Sequence, residues 1–326
     1  MEATNKQTEA VPAQGIFRRE IFQKYFSVCF LFLLILFFAL QSQHFLTFKN
    51  FGNILQQSAT LIIVAMGGTF VIMSGSIDLS VGSVVGLSSV ITAGLIKIIG
   101  LWAIPVGILV GTICGLINGF IFSKVKIPSF ITTLGMMIVA RGVVLVYTRG
   151  MPITVFHPGF LFLGQGRVLG IPFIVILALL TFLLTAFISQ YTVFGRNIRA
   201  IGGQERVSLL SGINVDGVKL LIYVFAGALS GLGGVAMAAR LGAGTPLLGD
   251  GMELDVIAAV VLGGTPLTGG IGSVLGTIVG ALTMIVLGNG LNIMGISSYT
   301  QMIIKGIVLV LAVAMTIDRE KIGVIK

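Results

Sequence analysis

Residues 54–97 read ILQQSATLIIVAMGGTFVIMSGSIDLSVGSVVGLSSVITAGLIK. Two apolar runs, 54–74 and 80–97, flank a polar stretch, Ser74-Gly75-Ser76-Ile77-Asp78-Leu79-Ser80. A helix needs about 20 apolar residues to cross a hydrocarbon layer of about 30 Å. Each run is close to that length, and the link between them is too short and too polar to be a third. The pattern predicts two membrane-crossing helices joined by a tight polar break.

The same measure, carried outward, marks further spans near 25–42, 102–122, 129–148, 171–189, 217–239, 254–267, 271–288 and 300–317. The fold class that follows is an all-α polytopic membrane protein of about ten transmembrane helices. The shortest run, 254–267, reads as a half-helix. A tail at 1–24 precedes the transmembrane part, 25–317, and another at 318–326 follows it. No cleavage signal follows the first apolar run, which is therefore expected to remain as an anchor.

Composition agrees. The chain is 56% hydrophobic and only 10% charged, against about 25% charged in soluble domains. Its 45 glycines would weaken soluble helices, but in lipid small residues let helices approach closely. Cys29 and Cys114 stand alone in apolar runs, with no disulfide or metal spacing. The net charge of +9 is informative through its distribution. With both termini inside, the inner segments hold Lys6, Arg18, Arg19, Lys24, Lys124, Lys126, Arg196, Arg199, Arg206, Lys219, Arg319, Lys321 and Lys326. The outer segments hold only Lys49, Lys97, Arg149, Arg167 and Arg240. This positive-inside bias predicts N-in, C-in and an even number of spans.

Phosphate-loop and zinc-protease motifs are absent. The two histidines, His44 and His157, lie far apart in outer loops. Gly231, Gly233 and Ala236 fit G-x-G-x-x-A, but inside a span with no preceding strand they read as helix packing. Gly67-Gly68-Thr69 recurs as Gly263-Gly264-Thr265, and G-S-V-x-G occurs at 82–86 and 272–276. The spacings differ, and in a glycine-rich chain coincidence explains this echo as well as duplication does.

Polar groups inside the spans are the candidate pathway residues. Asp78 or Ser76 is expected to cap the following helix, and the break itself must be buried in protein or line a water-filled space. Arg141 lies mid-span, where a charge normally faces a bundle interior with a partner; Asp78 is one candidate. Lys305 lies nearer a span end and is expected to snorkel outward. Asn118, Asn289 and Asn292 suit either interhelical hydrogen bonds or contact with a polyol.

Two connections are large. The outer stretch 149–170 carries Pro152, Phe156, His157, Pro158, Phe160 and Phe162; with 240–254, bearing Asp250 and Glu253, it is expected to form an outer docking surface. The inner stretch 190–216 contains Gly195, Arg196 and Arg199. Glu205 through Ser211 then suggests two helical turns stopped by Gly212 as a left-handed cap. Such a helix can lie on anionic lipid or dock into a cytoplasmic partner.

Several stretches together resemble the ribose-type sugar permeases of ABC importers, in the branched-chain amino acid/ribose permease superfamily. They are Asn53-Ile54-Leu55-Gln56-Gln57, Ser76 to Ser83, Ser211-Gly212-Ile213-Asn214-Val215, Glu253 to Thr265, Asn289-Gly290-Leu291-Asn292 and Ser297 to Met302. The resemblance implies a bacterial inner-membrane location and a homodimeric or pseudo-dimeric pore, a second copy of this chain being the expected partner. It implies two cytoplasmic ATP-binding subunits, which alone bind ATP, and a periplasmic sugar-binding protein. It also implies that 195–215 is the coupling segment seated in the ATPase, although Arg206 and Val207 depart from the Glu-Ala-Ala-like start often found there. Length and overall look favour allose as cargo, with ribose or another aldose open. An ion-coupled secondary transporter is the alternative; it needs titratable groups at mid-membrane, where Asp78 is the one carboxylate expected near a span interior.

Overall fold

In lipid a backbone hydrogen bond left open has no water to close it, so long apolar runs settle as helices. The computed structural model describes residues 13–316, with side chains placed over 27–314. All ten expected spans are helical in it: α1 (Ala13–Gln41), α2 (Phe48–Met73), α3 (Val81–Ile99), α4 (Ala103–Phe120) and α5 (Ser129–Thr148). After the outer helix α6 (Pro158–Gln165) comes α7 (Phe173–Tyr191), then the inner helices α8 (Val193–Gly203) and α9 (Glu205–Leu210). The remaining spans are α10 (Val215–Leu241), the short α11 (Met252–Leu262), α12 (Val274–Ile293) and α13 (Ser298–Thr316). Helix α1 begins at Ala13, inside what the sequence suggests is a tail; residues 1–12 and the tail at 318–326 lie outside the described residues.

Among the described residues, six helical stretches are long and apolar enough to cross a membrane, and one of them, Val81–Val125, contains both α3 and α4. It folds back at Gly100–Trp102, so that Gly107 of α4 lies against Thr92 of α3. Helix α4 ends in a π-helical turn, Ile121–Val125.

Helix α10 is the hub, packed against α2, α3 and α4. Its contact with α4 is made by glycines four apart, Gly107, Gly111, Gly115 and Gly119, which put one bare backbone face against another. A Cβ on Gly111 would lie 2.3 Å from the Gly227 carbonyl oxygen, and one on Gly115 would lie 2.1 Å from that of Tyr223. This is the close approach that small residues permit in membranes. Gly231 and Gly233 serve the same packing against Ile108 and Val64, as the sequence suggests.

The segment after α10 departs from expectation. Residues 240–254 read as an outer loop, yet only their start is at the outer rim, where β2 (Ala243–Gly244) pairs with β1 (Ile153–Thr154). From there the chain descends along α3. Gly244 packs on Ser89, Val90 and Ala93, Leu248 on Gly86, and Gly249 on Gly82. At about 1.5 Å per helical residue, Gly82 lies roughly 25 Å below the outer end of α3. Asp250 and Glu253 are therefore held inside the membrane, and α11 completes the crossing from there. The descent is possible because Gly82 and Gly86 have no side chains: a Cβ on Gly82 would lie 2.1 Å from the Gly249 carbonyl oxygen.

Gly115→Val should cost about 3 kcal/mol or more, because the group it meets is backbone and cannot rotate away. Gly52→Val, with open space around it, should leave the melting temperature in detergent within a degree or two. Equal melting temperatures for the two variants would refute the α4–α10 packing.

Candidate functional site

The break between α2 and α3 puts non-helical backbone inside the bundle, and side chains from two other helices satisfy it. Ser129 Oγ accepts from the Ile77 N–H at 3.3 Å, and Thr133 Oγ1 from the Leu79 N–H at 3.0 Å. Tyr223 Oη donates to the Ile77 carbonyl at 3.0 Å. Asp78 is 8% exposed and accepts from both the backbone N–H (2.8 Å) and the hydroxyl (2.6 Å) of Ser80. Asn118 donates to the same hydroxyl at 2.9 Å. The cap position of α3 is Ser80, not Asp78 or Ser76; Asp78 instead takes the N–H two residues ahead, as aspartate does in turns. Ser76 is buried beside the Ser74 hydroxyl, 3.3 Å away.

A second break, between α11 and α12, packs on the first. The Gly270 N–H donates to the Met73 carbonyl at 2.9 Å, and the Thr69 and Thr277 hydroxyls meet at 2.9 Å. Gly264, Gly269 and Gly270 all have positive φ, a conformation that costs glycine little. The two halves of the sequence echo thus flank two breaks in contact with each other.

Of the other pathway candidates, Arg141 does not pair with Asp78. It donates to the Pro246 carbonyl at 2.9 Å and pairs with Asp250 at 3.2 Å, because it stands farther along α5 than Ser129 and Thr133, which meet the break, at the level where the descending segment passes. Lys305 does not snorkel; Asp255, carried into the membrane by α11, holds it at 2.8 Å. Asn289 exchanges two amide hydrogen bonds with Asn50, each 2.9 Å, and so ties α12 to α2 rather than facing a pathway. Asn292 is exposed near the outer end of α12. The structure brings together Ser76, Asp78 and Asn118, and leaves Arg141, Asn289 and Asn292 elsewhere.

The inner segment is two helices. Thr192 caps α8 by accepting from the Gly195 N–H at 3.2 Å, and Gly195 packs on the backbone of Ile188 and Ser189. Arg199 donates to the Ser189 hydroxyl at 3.2 Å, while Arg196 is exposed. Ile198 and Ile201 sink into the core beside Phe70. At its end α8 touches both breaks: a Cβ on Gly202 would lie 1.9 Å from the Met73 carbonyl oxygen and 2.4 Å from the Gly270 nitrogen. Helix α9 ends as expected, with Ser211 at the cap and Gly212 at φ +82°. The Gly212 N–H bonds the Leu209 carbonyl and the Ile213 N–H that of Ser208, the double-bonded left-handed stop. Glu205 pairs with Lys219 at 2.7 Å, Lys219 lies 4.5 Å from the Phe122 ring centre, and Phe122 packs on Tyr223. Through Tyr223 this line of contacts ends on the first break. Val207, Leu209 and Leu210 are left exposed on α9.

On the outer side, 149–170 folds over the end of α10. Besides the β1–β2 pair, the Val155 N–H donates to the Gly242 carbonyl at 2.8 Å, and the Gln165 amide to that of Arg240 at 3.1 Å. Gly164 fits against the Arg240 backbone. Helix α6 and these two-residue strands carry too little periodic sequence to be read in advance.

Packed spans, polar breaks held among them, and an inner helical pair seated on those breaks are the architecture of a multi-pass membrane transport protein. Residues 50–313 match the family model described as branched-chain amino acid transport system / permease component. The chain is 41% identical to the ribose import permease protein RbsC of Escherichia coli (strain K12), over 96% of this chain and 99% of that protein. It is 44% identical to RbsC of Bacillus subtilis (strain 168), over 89% and 91%. It is 36% identical to the D-allose transport system permease protein AlsC of Escherichia coli (strain K12), over 86% and 87%. The chain belongs to this permease family; it is a multi-pass inner-membrane transport component and not an enzyme. No solved structure matches it.

Since Asp78 and Arg141 share no partner, their effects should be independent. Asp78→Asn keeps an acceptor for Ser80 and should cost less than about 1 kcal/mol, whereas Arg141→Gln unsatisfies buried carbonyls and should cost about 1–3 kcal/mol. In a double-mutant cycle on the purified permease the two should add within about 0.5 kcal/mol. A coupling well above that would restore the direct pair.

Proposed function

We propose that this chain is the membrane-spanning subunit of a binding-protein-dependent ABC importer for a ribose-type aldose. The observation that carries the reading is end-to-end likeness to two ribose import permeases at 41% and 44% identity, against 36% for the allose permease. Ribose therefore replaces allose as first choice. A pathway between two copies of this chain, a separate ATP-binding subunit seated on α8 and α9, and a periplasmic sugar-binding protein complete the assembly.

The inner helices support the ATPase partner. Exposed Arg206 and Leu209 border a pocket of about 520 Å³ between α9 and the start of α10, and Leu210 is exposed beside them. The outer docking surface narrows to 149–170 and the rim at 240–244, since Gly249 to Glu253 lie within the membrane. That correction also alters the ion-coupled alternative: Asp250, Glu253 and Asp255 join Asp78 as carboxylates at membrane depth. Asp250 and Asp255 each hold a fixed cation, Arg141 and Lys305, an arrangement that suits structure better than proton exchange.

In proteoliposomes holding the three components, labelled ribose should accumulate with ATP, and vanadate should abolish the uptake. Uptake that follows a proton or sodium gradient without ATP would sink the reading. Gly212→Val, which forces a branched residue to φ +82°, should reduce ATP-driven uptake about tenfold or more while normal amounts reach the membrane. Full transport by that variant would remove α9 from coupling.

A further inference from the structure

The descent of residues 244–251 along α3 places three charged groups side by side at membrane depth. Gly82 and Gly86 are one helical turn apart on α3. The space beyond Gly82 holds a Glu253 carboxylate oxygen, 2.4 Å from where a Cβ would stand; that beyond Gly86 holds an Arg141 guanidinium nitrogen at 3.8 Å. With a helical pitch of about 5.4 Å, guanidinium and carboxylate sit on neighbouring turns, and Asp250 lies 3.2 Å from the same guanidinium.

This group is open where the other membrane pair is closed. Lys305 and Asp255 are 30% and 21% exposed, whereas Asp250 is 69% exposed beside Arg141 at 22%. A carboxylate cannot present that much surface to hydrocarbon without a large penalty, so this face meets water or a polar solute. The hydrogen-bonding capacity is also unspent. Arg141 makes three hydrogen bonds, to Pro246, Leu248 and Asp250, from five N–H donors. Glu253 Oε2 is sealed against Gly82 with no partner among the described residues, so it adds negative charge behind the pair, and the accessible acceptor is Asp250. A guanidinium offers donors only and a carboxylate acceptors only; a sugar hydroxyl needs both at once. Exposed Leu247 and Leu254 on either side offer apolar surface to C–H faces.

We infer that Arg141 and Asp250, backed by Glu253, form a mid-membrane contact site for the hydroxyls of the sugar in transit. The inference rests on the reading of the chain as a sugar importer. Asp250 supplies the exposed acceptor and holds the guanidinium toward the open face, Arg141 supplies the spare donors, and Glu253 stands behind them against Gly82.

Two measurements on the assembled transporter test it. Asp250→Asn, or Arg141→Gln if the first variant fails to insert, should lower ribose moved per ATP hydrolysed by about tenfold, the loss of one charge-assisted hydrogen bond. Independently, in a Cys29→Ala, Cys114→Ala background, a thiol introduced by Asp250→Cys should react with a membrane-impermeant cationic thiosulfonate. A thiol from Leu180→Cys, on the exposed face of α7, should react only with a lipid-soluble maleimide. An unchanged ratio of ribose to ATP overturns the sugar contact, and a thiol at position 250 that only the maleimide reaches overturns the wet face. If the unmodified assembly imports no aldose, the importer reading fails, and the accessibility result still decides whether this face is wet.

Discussion

Inside hydrocarbon, a backbone group that leaves a helix must find its partner in the protein, and the rest of this structure depends on how that requirement is met at the two breaks. At the first, Ser129, Thr133 and Tyr223 arrive from α5 and α10 to take the polar groups of Ile77 and Leu79. At the second, Gly270 returns its N–H to Met73. Neither break is satisfied by its own residues alone. The helices that supply these partners are thereby fixed in position, and the outer ends of α2 and α12 are held by the Asn50–Asn289 amide pair.

Glycine makes the arrangement compact enough. The α4–α10 contact and the channel of α3 that receives residues 244–251 both rely on missing side chains. Two uses of glycine therefore coexist: close helix packing through most of the bundle, and left-handed backbone at the breaks and at Gly212. The first sets how near the elements come, the second where the chain turns.

Much of this was legible in the sequence. Apolar run length located all ten spans, including the shortness of α11, because hydrocarbon thickness imposes the length directly. The stop at Gly212 was legible because glycine after a short helix has few other uses. The partners of Arg141 and Lys305 were not legible. Asp250 and Asp255 adjoin a glycine-rich, polar stretch that reads as an outer loop, and nothing local shows that Gly82 and Gly86, far away in sequence, admit it into the membrane. Asp78 misled in the opposite way: a lone carboxylate near a lone arginine suggested an ion pair, while the nearby Ser80 had already satisfied it. Long-range pairing of polar groups is set by packing, which periodicity does not encode.

The contact of α8 with the two breaks involves almost no side chain: Gly202 presents bare main chain to Met73 and Gly270. Main chain has the same shape whatever residues surround it. If α8 and α9 seat the ATP-binding subunit as proposed above, their exposed surface is free to diverge in sequence and suit a different partner, while the place where a push on α8 would enter the membrane stays the same. In engineering terms the segment is an adaptor with a standard fitting at one end and an editable face at the other, which makes it the natural point at which to exchange one motor for another.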